Sequence, residues 1–135
     1  LMTSGDLDFL DMSLWDCFKE PEEEEFKGKT LIQHFCELER GTTRLGVAGN
    51  LRTPQDVTKA LEEGVDWIML GRAAILHHDF PKLYEEDDQF VPSQIPVSVD
   101  YLTQEGLSPK FIEYMSNWGF VDGSVDRMKE AIKKA

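Results

Sequence analysis

The chain has 135 residues with 26 acidic and 14 basic side chains, which gives a formal net charge of −12. This charge argues against a nucleic-acid-binding protein, because no basic stripe is present to neutralise phosphates. Its two cysteines, Cys17 and Cys36, form neither a CxxC motif nor a disulfide framework. We recognise no secretory signal and no long apolar run, so we expect no membrane contact and a cytoplasmic, reduced protein.

The first half of the chain alternates predicted strands and helices. Residues 8–14 are apolar with strand character, and residues 15–29 form a long acidic loop. Apolar residues recur at helical spacing from Leu31, which predicts a helix that ends near Gly41. Residues 44–48 then form a short continuous apolar run, as buried parallel strands do.

The second helix has a clear beginning and end. Thr53 fits the N-cap position, Pro54 the first helical position, and Gly64 the left-handed C-cap. A third strand is predicted over residues 67–70, and Gly71-Arg72 then leads into a short helix over residues 73–76. Alternation of this kind predicts an α/β protein with a parallel sheet.

The alternation stops after Pro81. Residues 91–97 contain two prolines and predict an extended linker. Short helices are predicted from residue 98 or 99 to 105, from the Ser108-Pro109 cap onward, and over residues 126–135. We therefore divide the chain into three βα units (1–90) and a helical extension (91–135).

Two of the turns that follow strands contain glycine and precede a helix. Gly49 follows the second strand and Gly71 follows the third. Such turns, one βα unit apart, are how a (β/α) barrel binds phosphate, because glycine lets backbone N–H groups approach an anion. A complete barrel needs roughly 250 residues, so we expect this chain to be part of one, and a fragment of a longer enzyme.

The motifs GNLRTPQD and EGVDWIMLGRAAILHHDFP resemble the Old Yellow Enzyme family of FMN-dependent NAD(P)H oxidoreductases. The segment LTQEGLSPKFIEYMSNWGFV is also similar to the C-terminal segment of one bacterial branch of that family. The resemblance covers roughly residues 6–120. It implies the C-terminal part of a (β/α)8 TIM barrel, with three parallel βα units and a helical C-terminal extension.

The resemblance also implies a cofactor and its binding residues. In the family, main-chain N–H groups after the seventh and eighth strands hold the FMN phosphate, which here implies Gly49, Asn50, Gly71 and Arg72. Many members have glycine where this chain has Asn50, a mild departure because asparagine tolerates positive φ. The implied reaction passes hydride from NAD(P)H through FMN to an activated alkene or another acceptor. The family's catalytic residues lie on earlier strands, so none is assigned and this chain alone is expected to be inactive.

Other residues near the predicted site allow two interpretations each. Trp15 and Asp16 follow the first strand and would approach substrate or flavin at the rim. Arg52 would be a second cation, although pairing with one of the many acids is the favoured interpretation. Trp118 and Phe120 would cover an active site or pack the tail on the barrel, and packing is favoured.

No metal site is predicted. His77 and His78 are adjacent, so on a helix they would point about 100° apart and would not share one ion. His34 and Cys36 lie on a predicted helix with an apolar face, where packing and solvent exposure explain them.

Two alternatives to the flavoenzyme remain open. One is a non-flavin phosphate-binding barrel, such as a phosphosugar isomerase, that uses the same two loops. The other is a non-enzymatic half-barrel that self-associates. In each case three parallel strands would expose two edges and one face, so we expect the rest of the barrel or a second copy to cover them, with a homo-oligomer in isolation.

Overall fold

A computed structural model describes residues 2–134, with side chains as far as residue 132. The strands are β1 (Phe9–Ser13), β2 (Arg44–Ala48) and β3 (Trp67–Ile68). The helices are α1 (Leu31–Cys36), α2 (Pro54–Glu62), α3 (Arg72–Leu76), α4 (Phe80–Glu86), α5 (Val99–Gln104), α6 (Pro109–Ser116) and α7 (Ser124–Lys134). No helix among these residues is long and apolar enough to cross a bilayer.

The three strands form one parallel sheet in the order β1-β2-β3. Met12, Leu45 and Val47 are buried on the helix-covered face of this sheet. The opposite face is open, and Phe9 on it is 58% exposed. Side chains alternate between the two sheet faces along β1 and β2. One face therefore forms the core, and the other remains available for burial by a partner. The prediction of an α/β chain with a parallel sheet is therefore confirmed.

Helix α2 begins and ends as its sequence predicts. The Thr53 hydroxyl accepts a hydrogen bond from the Asp56 N–H at 3.1 Å, and the Asp56 carboxylate accepts one from the Thr53 N–H at 2.9 Å. Pro54 lies in the first turn, where its missing N–H costs nothing. Gly64 follows the helix with φ of 105°, which favours glycine.

Several predicted boundaries are wrong. Helix α1 ends at Cys36 rather than near Gly41, and β3 ends at Ile68 rather than at residue 70. Helix α4, after the predicted end of the alternation, was not predicted at all. The predicted end of the alternation, after Pro81, falls inside this helix, because Pro81 occupies the first turn of α4, where proline is tolerated. The acidic loop also contains one 3-10 turn, Glu24–Phe26.

The C-terminal helices form their own apolar cluster against α3. Its buried members are Leu76, Leu102, Ile112, Met115 and Phe120. Helix α7 begins at Ser124, two residues before the predicted start, and the predicted last residue, Ala135, lies outside the described residues.

The predicted linker, residues 91–97, is fixed at two points. The Val97 N–H donates to the Phe120 carbonyl at 2.9 Å, and the Asp122 N–H donates to the Val97 carbonyl at 2.9 Å. The Ser93 N–H donates to Nε2 of His77 at 3.0 Å. These bonds connect the linker both to the end of α3 and to the segment between α6 and α7.

Candidate functional site

The loops that follow the three strands meet at the carboxyl edge of the sheet. They enclose a cavity of about 220 Å³ whose lining includes all four predicted phosphate-binding residues, Gly49, Asn50, Gly71 and Arg72. The carboxyl edge of a parallel sheet is where α/β proteins usually bind ligands. The two predicted loops therefore lie side by side rather than at opposite ends of the sheet.

This edge has an unusual charge for so acidic a chain. Two further cavities, of about 140 and 400 Å³, adjoin the first. Arg72 lines all three cavities and Arg52 lines two of them. No aspartate or glutamate of the described chain lines any of the three. The site thus combines two cations with no neighbouring anion in its walls, which suits an anionic ligand.

Neither arginine is neutralised by a residue that the structure describes. The Arg72 side chain is exposed and makes no hydrogen bond or ion pair with any residue that the structure describes. Arg52 donates from Nε to Oδ1 of Asn50 at 2.8 Å. The prediction that Arg52 pairs with an acid is wrong, because no described carboxylate lies within 4.0 Å of its guanidinium. Asp56, the acid closest to Arg52 in sequence, accepts two backbone N–H groups, and Asp16 accepts the Asn50 side-chain amide.

Asn50 adopts the left-handed conformation that its sequence position allows, with φ of 57°. Its side chain connects two loops: Nδ2 donates to Oδ2 of Asp16 at 3.1 Å, and Oδ1 accepts from Arg52. The other Asp16 oxygen accepts the Phe18 N–H at 3.0 Å. Asn50 therefore does more than substitute for a glycine, because it fixes the loop after β1 to the loop after β2.

The two glycines of the site differ in what surrounds them. A Cβ on Gly49 would lie 2.8 Å from the Cys17 backbone nitrogen, so the chain's own packing requires glycine there. A Cβ on Gly71 would meet no atom of the described residues within 4 Å. The Gly71 backbone, with φ of −97° and ψ of −87°, lies outside the α and β regions, and its open surroundings leave room for a ligand to approach.

Backbone donors are also available beside Arg72. The N–H groups of Gly71, Arg72 and Ala73 make no hydrogen bond within the described chain, and α3 has no side-chain cap at its start. Unpaired N–H groups in such a turn form a concavity that binds anions. Together with the two guanidinium groups, these donors fit a phosphate.

Aromatic side chains surround the largest of the three cavities. Trp15 is 95% exposed at its rim, and Phe111, Tyr114 and Trp118 form a row beside it. Phe120 is buried, as predicted, but Trp118 is 64% exposed, so the prediction that it packs the tail is wrong. The spacing of residues 111, 114 and 118 is that of one helix face, a signal that sequence reasoning missed.

The histidines are engaged in structural contacts. His77 accepts the Ser93 N–H and contacts the rings of Phe90 and Tyr101. His78 pairs through Nδ1 with Glu105 at 2.8 Å, and the hydrogen bond that the imidazolium donates to that carboxylate raises the His78 pKa. Possible metal-binding atoms of His78, Asp79 and Glu105 lie within 4.8 Å of one another, an arrangement that the existing His78–Glu105 bond explains.

Both cysteines are free thiols, and neither lies in the walls of the three cavities. Burial, supported by the Asp16 charge, raises the pKa of Cys17 to about 11. Burial also raises the pKa of Cys36. A thiol with a raised pKa is a poor nucleophile, so packing explains these residues better than catalysis does.

Comparison of the chain with protein-family models, with curated proteins and with solved structures found no match.

Proposed function

We propose that this chain is the C-terminal part of an FMN-binding (β/α)8 barrel, in which it binds the cofactor phosphate for an NAD(P)H oxidoreductase. The observation that carries the proposal is the acid-free cavity edge with two unneutralised arginines, between the loops after β2 and β3. The sequence resemblance to the Old Yellow Enzyme family supplies the identity of the phosphate compound.

Within this proposal, the chain's own residues bind and orient. The N–H groups of Gly71 and Arg72 donate to phosphate oxygens, and the Arg72 guanidinium adds a charge-assisted bond. Bound FMN supplies hydride transfer from NAD(P)H to an activated alkene or another acceptor. The groups that activate the substrate belong to earlier strands, so we do not expect the chain alone to catalyse the reaction.

The non-flavin barrel is the second candidate, because the same cavity would accept a sugar phosphate. The aromatic row of Phe111, Tyr114 and Trp118, which lines the same cavity as Trp15, favours a ligand that has a planar ring beside its phosphate. A sugar phosphate has no such ring, so this row favours the flavin.

A partner is part of the proposal. The open sheet face carries exposed Phe9, which packs edge-on against the Trp67 ring at 5.5 Å between centroids. Such a face is usually buried in the native assembly, here by the remaining strands of the barrel or by a second copy. Sedimentation over a range of concentrations should show association of the isolated chain, and a monomer at all concentrations would contradict this part.

The proposal also assigns the protein to the cytoplasm. The two free thiols, Cys17 and Cys36, support a reducing compartment. Reduced nicotinamide would be the electron donor there.

Fluorescence titration tests the proposed function. FMN should bind the 135-residue chain, and riboflavin, which lacks the phosphate, should bind at least ten-fold more weakly. Arg72→Gln should weaken FMN binding by roughly 10- to 100-fold, the typical effect of one charge-assisted hydrogen bond. Arg44→Gln is the matched control, because it removes the same charge at the amino end of β2. Equal affinity for FMN and riboflavin would overturn the proposal.

A further inference from the structure

We propose that Arg52 is a second phosphate-binding residue, that the Asn50 side chain positions it, and that the site therefore selects the dianion of a phosphate monoester. This inference rests on the proposed function and deepens it. It was not the favoured interpretation of Arg52 from sequence, where pairing with an acid was expected.

The first argument is placement. Arg52 and Arg72 come from loops that follow adjacent strands, and both line the cavities of about 140 and 220 Å³. Two guanidinium groups that line the same space repel each other, although water screens the repulsion while they are exposed. An anion bound between them would relieve the repulsion and gain from both charges.

The second argument is that the nearby carboxylates are used elsewhere. Oδ2 of Asp56 accepts the backbone N–H groups of Arg52 and Thr53, both at 2.9 Å, where it caps α2. The two oxygens of Asp16 accept from Asn50 and from the Phe18 N–H. Neither acid contacts the Arg52 guanidinium, so the positive charge of Arg52 stays available to a ligand.

The third argument is orientation. The Arg52 guanidinium donates one hydrogen bond, from Nε to Oδ1 of Asn50 at 2.8 Å. It makes no hydrogen bond to any other described residue. The terminal nitrogens of Arg52 therefore remain free to donate, while the bond from Nε restricts their position. Because Asn50 is itself held by Asp16, the loop after β1 determines where Arg52 lies. Asn50 is a positioning residue as well as part of the cavity wall.

The charge of the ligand follows from the pair of arginines. A phosphate monoester carries about −1.5 to −2 at pH 7, with a second pKa near 6, whereas a phosphodiester carries only one negative charge. Two guanidinium groups gain most from the dianion. The affinity of the site should thus fall as the pH is lowered through about 6, where the monoester becomes a monoanion.

The test compares four variants of the 135-residue chain with the wild type by titration with FMN, riboflavin and inorganic phosphate at pH 7.5 and pH 5. Arg52→Gln should weaken FMN and phosphate binding by roughly 10- to 100-fold at pH 7.5. For each ligand, it should also reduce the ratio of the affinity at pH 7.5 to the affinity at pH 5. Loss of a merely structural residue would not change that ratio. Arg44→Gln, at the other end of β2, should change neither quantity.

Asn50→Gly separates positioning from backbone shape. Glycine adopts the φ of 57° readily, so this variant keeps the loop and removes only the bonds to Asp16 and Arg52. We expect an FMN affinity reduced by only about 3- to 10-fold, because Arg52 loses the bond that positions it but keeps its charge and its own bonds to phosphate. Compared with Arg52→Gln, Arg52→Lys should regain part of the ratio of the affinity at pH 7.5 to that at pH 5. Lysine keeps the positive charge but lacks the Nε–H that bonds Asn50.

Each outcome is decisive. FMN binding that is weaker in Arg52→Gln and unchanged in Arg44→Gln supports both proposals. FMN binding with unaltered affinity in Arg52→Gln leaves the flavin function standing and overturns the role of Arg52. Arg52-dependent binding of phosphate, with FMN bound no better than phosphate, supports the two-arginine site and refutes the flavin. No binding of any probe overturns both.

Discussion

The carbonyl oxygen of Gly49 accepts a hydrogen bond from the N–H of Cys17 at 3.2 Å, so the loop after β1 lies directly against the loop after β2. The approach is so close that a Cβ on Gly49 would also be 3.1 Å from the Cβ atoms of Cys17 and Leu14. Glycine at this position is therefore needed to bring two loops together, whether or not a ligand is bound.

Gly49→Ala should destabilise the protein. The added methyl group would overlap backbone atoms of Cys17, which have little freedom to move, so the cost should be about 1–3 kcal/mol of unfolding free energy. Urea denaturation monitored by circular dichroism measures it. Unchanged stability would mean that the loop after β1 adjusts freely and does not fix this edge of the site.

Gly71→Ala should have the opposite pattern. Since nothing in the described chain lies within 4 Å of the new methyl group, the unfolding free energy should fall by about 1 kcal/mol or less, the cost of placing alanine in the Gly71 backbone conformation. FMN affinity should fall by about ten-fold or more, because the methyl group would keep phosphate from the backbone. Gly49→Ala and Gly71→Ala should be compared in the same FMN titration. A Gly71→Ala variant with undiminished FMN affinity would contradict phosphate binding at this loop.

The two thiols should differ in reactivity. Cys17 is buried and its pKa is raised to about 11, so at pH 8 roughly one molecule in a thousand carries the thiolate. Cys36 is only partly buried and should react first with a disulfide reagent. Cys36→Ser should leave one slowly reacting thiol in the native protein and one fast thiol in urea. Fast labelling of Cys17 in the native state would show that the loop after β1 opens readily.

The His78–Glu105 pair should make stability depend on pH. The hydrogen bond with Glu105 raises the His78 pKa, so its contribution is complete below the usual histidine value near 6.5 and is lost as the pH rises through the raised value. Burial alone would raise the Glu105 pKa, but bonds and charge from His78 outweigh it and lower that pKa. The glutamate contribution is therefore present above about pH 4.5 and lost as the pH falls through the lowered value.

Urea denaturation at pH 5.5 and pH 8.5 measures this dependence. The wild-type protein should lose stability between the two values, and Glu105→Gln should lose less. Glu113→Gln, at an exposed position of α6, is the matched control and should behave as the wild type. A wild-type and a Glu105→Gln protein with the same pH dependence would show that the pair does not form in solution.

Local chemistry made the strand–helix part of the fold predictable. Thr53, Pro54 and Gly64 each have one dominant structural use, and together they located α2 to the residue. The apolar run of β2 was equally clear, because a strand buried by helices has few polar positions. Gly49 and Gly71 could be placed at one edge of the sheet because consecutive parallel strands end on the same side.

What sequence reasoning missed depends on contacts between distant segments. The alternation is predicted to stop after Pro81, and the sequence around it does not show that Pro81 lies in the first turn of α4. The sequence could not show which acid, if any, pairs with Arg52. Asp16 and Asp56 accept hydrogen bonds from backbone N–H groups instead, and no sequence pattern reveals those bonds. Trp118 lies just past the end of α6, and its 64% exposure is a result of tertiary packing that its helical spacing does not reveal.

Hydrogen bonds hold the linker over residues 91–97 to the rest of the chain near both of its ends. His77 holds it through Ser93, and Phe120 holds it through Val97, while Pro92 and Ile95 form part of the wall beside the arginines. Local unfolding of the tail would release the Phe120 anchor and with it that wall. The cavity and the C-terminal helices therefore share one opening equilibrium, so the lifetime of a bound ligand is linked to how often the last helices detach.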